Sequence, residues 1–124
     1  MCTFVFERSI EMLDTVTINA LTSALSGLSA RQTATANNIA NINTPNYKAQ
    51  VVSFEAALAA SVKAGSGVVA PTTADSLEPT ELDGNNVNLD TEDITNTNTV
   101  LQYQFASQAI SQELKSIVPA MTLS

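Results

Sequence analysis

The stretch "ANNIANINTPNYKAQ", residues 36–50, marks the end of a long helix and the turn after it. It holds five asparagines and closes a run that otherwise reads as helix. Pro45 must stop that helix, because proline has no amide hydrogen to give and its ring pushes Thr44 toward extended geometry. Pro45-Asn46 then reads as the centre of a tight turn, with Asn46 tolerant of a positive φ. Asn41 and Asn43 are placed to bond the last helical carbonyls or the turn backbone. The competing reading is that asparagine simply breaks helices well.

Upstream, Ile18, Leu21, Leu25, Leu28, Gln32, Thr35, Ile39 and Ile42 step by three and four, a single stripe at coiled-coil spacing. Asp14 is the expected N-cap. The stripe is narrow, and the other faces carry Thr15, Thr17, Thr22, Ser23 and Ser26, whose helix propensity is mediocre. Such a helix needs a partner to pack against. If residues 15–42 were all helical it would be about 42 Å long.

Downstream, Phe54, Leu58 and Val62 recur every four residues and predict a short helix within Lys48–Lys63. From Ala64 to Asn86 the composition shifts to Gly, Pro, Thr and acids, with prolines at 71 and 79, and predicts a flexible acidic connector. Order returns at "DGNNVNLDTED". Asp83-Gly84 gives a turn, Val87 and Leu89 alternate like a short extended piece, and Asp90 is placed to cap a helix with Glu92 and Asp93 in its first turn. That helix is expected from about Thr91 to Val118, stopped by Pro119. Its apolar residues Val100, Tyr103, Ile110, Leu114, Ile117 and Met121 again follow helical spacing, widened by Leu101 and Phe105.

The expected fold is therefore mainly α: two long terminal helices packed antiparallel and coiled-coil-like, joined by a short helix, an irregular connector and a short extended segment. The parts are 1–13 as an N-terminal extension, 14–43 as the first helix, 44–63 as turn and short helix, 64–86 as connector and 87–124 as the extended segment and last helix. Two narrow stripes bury little apolar area against the ordering entropy of 124 residues, which points to a subunit whose remaining faces are covered by neighbours.

The composition argues against several classes. Net charge is −7, and no Lys/Arg cluster exists to neutralise phosphates in a row, so neither nucleic acid nor an anionic membrane is an expected partner. The apolar runs are far below the roughly 20 residues that span a bilayer, so no direct membrane insertion is expected. The first residues lack a basic region, a long apolar core and a small-residue cleavage site, so no Sec-type signal is read there. With Cys2 the only cysteine and no histidine, neither a disulfide within the chain nor a thiolate or imidazole metal site is expected. A calcium site built from Asp90, Glu92 and Asp93 is weighed against the commoner reading, that such a run caps and solvates a helix start.

Gly27, Gly65, Gly67 and Gly84 are too scattered for a phosphate loop, and no nucleophile–base pair can be assembled. The acids gather in the connector and at helix starts, where perturbed acidity is least expected. The chain does not read as an enzyme, and no catalytic, cofactor-binding or metal residue is assigned. Tyr47 and Tyr103 read as packing anchors.

Ser29–Ala49, "SARQTATANNIANINTPNYKA", resembles the N-terminal signature of bacterial flagellar rod, hook and related axial proteins. In that family a long helix ends in Asn-Ile-Ala-Asn followed by Thr-Pro-Gly-Tyr. The matching positions are Arg31, Gln32, Ala36, Asn38, Ile39, Ala40, Asn41, Thr44, Pro45, Tyr47 and Lys48. Asn46 stands where the family usually has glycine; asparagine is the next-best residue for positive φ, so the turn is expected to be kept at a cost of about 1 kcal/mol. A second block, Gly84, Asn85, Asn86, Val87, Leu89 and Glu92, followed by Tyr103-Gln104, resembles the proximal-rod members of that family. The chain is too short for the distal rod and hook members, and its tail "SQELKSIVPAMTLS" lacks the Tyr-x-Ala-Asn segment of the other short rod proteins.

The resemblance implies a structural subunit of the proximal rod of the flagellar basal body, outside the cytoplasmic membrane in the periplasm or cell-wall zone. It implies export by the flagellar type III system and polymerisation through the terminal helices to transmit torque. The implied partners are the type III export gate, other rod proteins, the adaptor between the rod and the inner-membrane (MS) ring, and copies of the chain itself. No cofactor is implied. Family members begin near Met12, so residues 1–11 read as an addition. The rival reading from another class is a secreted helical-hairpin effector or adaptor that binds a different partner and folds stably alone.

Overall fold

A computed structural model describes the backbone of residues 2–122 and the side-chain surroundings of residues 15–119. The chain runs α1 (Cys2–Ala40), β1 (Gln50–Ser53), α2 (Glu55–Lys63), β2 (Thr72–Asp75) and α3 (Leu89–Thr122). It is mainly helical, with α1 and α3 packed against each other. They run antiparallel: Asn38 near the end of α1 meets Glu92 in the first turn of α3, while Leu21 and Ala24 border one groove with Ala106 and Ala109.

The first helix is longer than expected. Its 39 residues span about 58 Å. Asp14 lies inside it and is not its N-cap, because no glycine or proline interrupts residues 2–13. The apolar stripe also needs amending: Leu28 and Thr35 are buried, but Gln32 is exposed. A second buried row, Ser23, Gly27, Ala34 and Asn38, follows the same three-and-four spacing and was hidden by its small and polar side chains. This row meets the central part of the chain, so α1 carries two packing faces. Gly27 lies directly under Phe54, where a Cβ atom would come within 2.5 Å of the ring.

Between the helices the chain is more regular than the expected irregular connector. Val51-Val52, within the stretch 44–63 expected as turn and short helix, form β1, and β2 lies within residues 64–86. The two strands pair antiparallel, with Gln50 opposite Asp75 and Ser53 opposite Thr72. The β-branched pair at 51–52 and the threonines at 72–73 favour this ribbon locally. A ribbon of two short strands is marginal alone, and α1 supports it: Leu28 and Ala34 pack with Val52 and Phe54, joined by Ala24, Leu58, Val69 and Ala106. The residues before β2 are strapped to α1 as well. Ser23 Oγ donates to Gly67 O at 2.9 Å and accepts from Val69 N–H at 3.1 Å. Gly67 has φ 72°, and a Cβ there would come within 2.6 Å of Val16 O.

Two boundaries of α3 differ from expectation. Asn88, not Asp90, is the cap: its Oδ1 accepts from the N–H groups of Asp90 and Thr91 at 3.0 and 3.2 Å. Leu89, expected in an extended piece, is thus the first helical residue, and no strand forms at 87–89. The helix also continues past Pro119 to Thr122. Proline lacks only the one amide hydrogen that would reach back four residues, and so near the end that loss stays within the last turn.

Candidate functional site

The turn after α1 adopts the predicted geometry. Asn46 is the only non-glycine residue with positive φ among the described residues, at 61°. Tyr47 N–H donates to Thr44 O at 3.3 Å across Pro45-Asn46, and Asn46 N–H reaches Asp83 O at 2.9 Å. A glycine is required opposite: a Cβ at Gly84, which has φ 83°, would come within 2.4 Å of Asn46 Oδ1. Lys48 Nζ donates to Gly84 O at 2.9 Å, so the two signature blocks meet at this point.

Three buried asparagines tie this end of the molecule together. Asn38, 1% exposed, donates through Nδ2 to Gln50 O and Glu92 Oε1, both at 2.9 Å. Its Oδ1 accepts from Gln50 N–H at 2.8 Å and from the Tyr47 hydroxyl at 3.4 Å. One amide thus joins α1, the turn, β1 and α3. Asn85 Nδ2 donates to the carbonyls of Asn41, Ile42 and Thr44 at 2.9, 3.1 and 2.8 Å, while its Oδ1 accepts from Val87 N–H at 2.7 Å. Those carbonyls belong to the end of α1 and the turn after it, where the helix leaves acceptors without partners. Asn86 Oδ1 accepts from Ala49 N–H at 2.7 Å, and its Nδ2 donates to Ser76 O and Glu78 O at 3.1 and 3.2 Å.

An amide suits each of these places because it donates and accepts without carrying charge into a buried setting. No buried side-chain nitrogen or oxygen lacks a partner among the described residues. The asparagines on the exposed side do less. Asn41 Nδ2 bonds Asn37 O at 2.8 Å within α1, and its Oδ1 accepts from the Thr44 hydroxyl at 3.2 Å.

Arg31 extends the same face toward α2. It donates to Val52 O at 3.0 Å, forms an ion pair with Glu55 and lies 4.9 Å from the centre of the Phe54 ring. Burial pushes the pKa of the Glu55 carboxyl up, but the Arg31 hydrogen bond, the backbone N–H groups of Glu55 and Phe54 and the Arg31 charge together outweigh it, and the pKa sits below the ordinary glutamate range. A cleft of about 260 Å³ beside the network is bordered by Arg31, Thr35, Gln50, Glu78, Thr91 and Glu92. Arg31 is committed to Glu55 and Glu92 to Asn38, so these groups serve as ties between elements.

The structure thus brings Arg31, Asn38, Asn41, Thr44, Pro45, Asn46, Tyr47, Lys48, Gly84, Asn85, Asn86 and Glu92 to one end of the helix pair, with Val87 buried beside them. Ile39 is half-buried, Gln32 and Ala40 are exposed, and Tyr103 lies exposed further along α3, away from the network. Sequence reasoning missed Glu55, the partner of Arg31, and Asn88, the cap. The signal for Asn88 was present: asparagine directly before Leu89 satisfies the cap position as well as Asp90 does.

Known proteins share part of this end. Residues 18–48 match the family model described as flagella basal body rod protein. Over 39 residues the chain is 56% identical to the flagellar basal body rod protein FlgB of Bacillus subtilis (strain 168), a stretch making up 32% of this chain and 30% of that relative. The alignment therefore spans less than a third of the relative's length. Residues 18–48, which run into the helix end and turn that the asparagine network secures, are thus where this chain is similar to the flagella basal body rod proteins.

Proposed function

We propose that this chain is a structural, non-catalytic subunit of the proximal rod of the bacterial flagellar basal body. The observation that carries the reading is the family signature folded as one unit, with the helix end locked to the start of α3 through Asn38 and Glu92. The uncovered apolar side chains of α3 support it. Ile94, Leu101 and Phe105 follow one another at helical spacing and are 64%, 51% and 75% exposed, an apolar stripe that this chain leaves uncovered.

In this reading α1 and α3 form the rigid member that transmits torque, and neighbouring subunits cover its apolar flanks. Those neighbours are copies of the chain, other rod proteins and the adaptor to the MS ring. The chain reaches its place outside the cytoplasmic membrane, in the periplasm or cell-wall zone, through the flagellar type III export gate.

The test is genetic. Deleting the gene and complementing it with chains that begin at Met1 or at Met12 should abolish and then restore rod, hook and filament in electron micrographs. Normal flagella in the deletion strain, with no second copy in the genome, would overturn the reading.

A further inference from the structure

The two edges of the β ribbon are in different states. Ser76 N–H donates to Ala49 O at 2.7 Å. That fixes the ladder's alternation: Val51 with Ala74 and Ser53 with Thr72 exchange backbone bonds, whereas the peptide groups of Gln50, Val52, Thr73 and Asp75 point away from the ribbon. On β1 three of the four outward groups are taken by α1. Asn38 holds both the N–H and the carbonyl of Gln50, and Arg31 holds the carbonyl of Val52. On β2 nothing among the described residues bonds the outward groups of Thr73 and Asp75, and all four residues of the strand are exposed. The chain closes one edge and leaves the other open.

The chain that follows this edge has two further properties. Leu77 and Leu82 are 99% and 110% exposed, the most exposed large apolar residues among those described. The loop that carries them is held in shape: Asn86 grips the carbonyls of Ser76 and Glu78, Glu81 N–H reaches Asn85 O, and Gly84 N–H reaches Glu81 O. Much of the ordering cost of a docking loop is met before any partner arrives. The same stretch carries Asp75, Glu78, Glu81 and Asp83, and the sequence has no lysine or arginine between Lys63 and Lys115.

We propose that the free edge of β2 is a docking strand for an extended, lysine- or arginine-bearing segment of a different protein, with Leu77 and Leu82 as its apolar anchors. Residues at alternate positions of that segment would exchange backbone bonds with Thr73 and Asp75, the geometry of strand addition. The charge argues against a second copy in this place: each copy carries −7, and of its five basic residues Arg31 is held by Glu55 and Lys48 at the Gly84 carbonyl. The open edge, the anchors and the charge are the same whether the assembly is a rod or another one.

The test places a photo-crosslinking amino acid at Leu77 of the full chain in its native host. The expected adduct is a peptide of another protein, basic and extended. Thr73→Pro removes only an outward N–H from an edge position that tolerates proline, and should reduce the adduct yield about tenfold, as loss of one backbone bond at an interface does. Asp75→Lys should reduce it as well, with unchanged circular dichroism in both variants. An adduct with a copy of this chain, a helical or acidic partner peptide, a yield that neither variant lowers, or no adduct at all would overturn the proposal.

Discussion

Asn38 Nδ2 lies 2.9 Å from Glu92 Oε1, both side chains are buried, and this contact fastens the last turns of α1 to the first turn of α3. The other bonds of the amide go to both backbone groups of Gln50 and to the Tyr47 hydroxyl. Asn38→Leu keeps the volume but leaves a buried carboxylate and a strand edge without partners. We expect a loss of about 3 kcal/mol, against about 1 kcal/mol or less for Glu92→Gln, which keeps an acceptor oxygen. Urea denaturation followed by circular dichroism checks both values. Equal and small losses would mean that the amide does not tie the helices.

The positive φ of Asn46 costs energy that glycine would not pay. No side-chain hydrogen bond holds Asn46 in place among the described residues, and its backbone N–H bond to Asp83 O survives substitution. Asn46→Gly should therefore raise stability by about 0.5–1 kcal/mol, less the added entropy of the unfolded chain. A fall in the urea midpoint would show that the asparagine side chain does something here that its geometry does not reveal.

Gly27 sets two effects against each other. Alanine in mid-helix is favoured by about 1 kcal/mol, but its Cβ would sit within 2.5 Å of the Phe54 ring, and overpacking costs about 1–3 kcal/mol. The contact should win. Gly27→Ala is expected to destabilise, and adding Phe54→Leu should recover part of the loss. Simple additivity of the two substitutions in denaturation would refute the contact.

Glu55 gives the chain a mild acid sensitivity. Its pKa in the folded chain is depressed, so its contribution is present above the ordinary glutamate value and is lost as pH falls through the folded one. The side chain is 57% exposed, which limits the effect to less than about 1 kcal/mol. Between about pH 5 and pH 3 the wild type should lose slightly more stability than Arg31→Gln, whose Glu55 has no charged partner. Parallel stability profiles over that range would remove the ion pair from the account.

Much of this could be read from local rules. Pro45 and Asn46 dictated the turn, and the three-and-four spacing gave both long helices. What escaped was non-local. The row Ser23, Gly27, Ala34 and Asn38 has no apolar contrast to mark it, so the second packing face of α1 emerged only with the ribbon in place. The connector looked irregular because β2 is short, polar and fully exposed, and its pairing with β1 depends on support from α1 and the Asn86 amide. The clustered asparagines raised the right question, but their individual partners lie up to 54 residues away and no local pattern encodes them.

Whether this chain is built into the flagellar rod can be seen by isolating basal bodies from the native host and locating a tagged chain in them by immunogold electron microscopy and mass spectrometry. Label is expected at the rod, retained after the filament and hook are removed, and lost together with the rod in an Asn38→Leu strain. Complete basal bodies that lack the chain would contradict it.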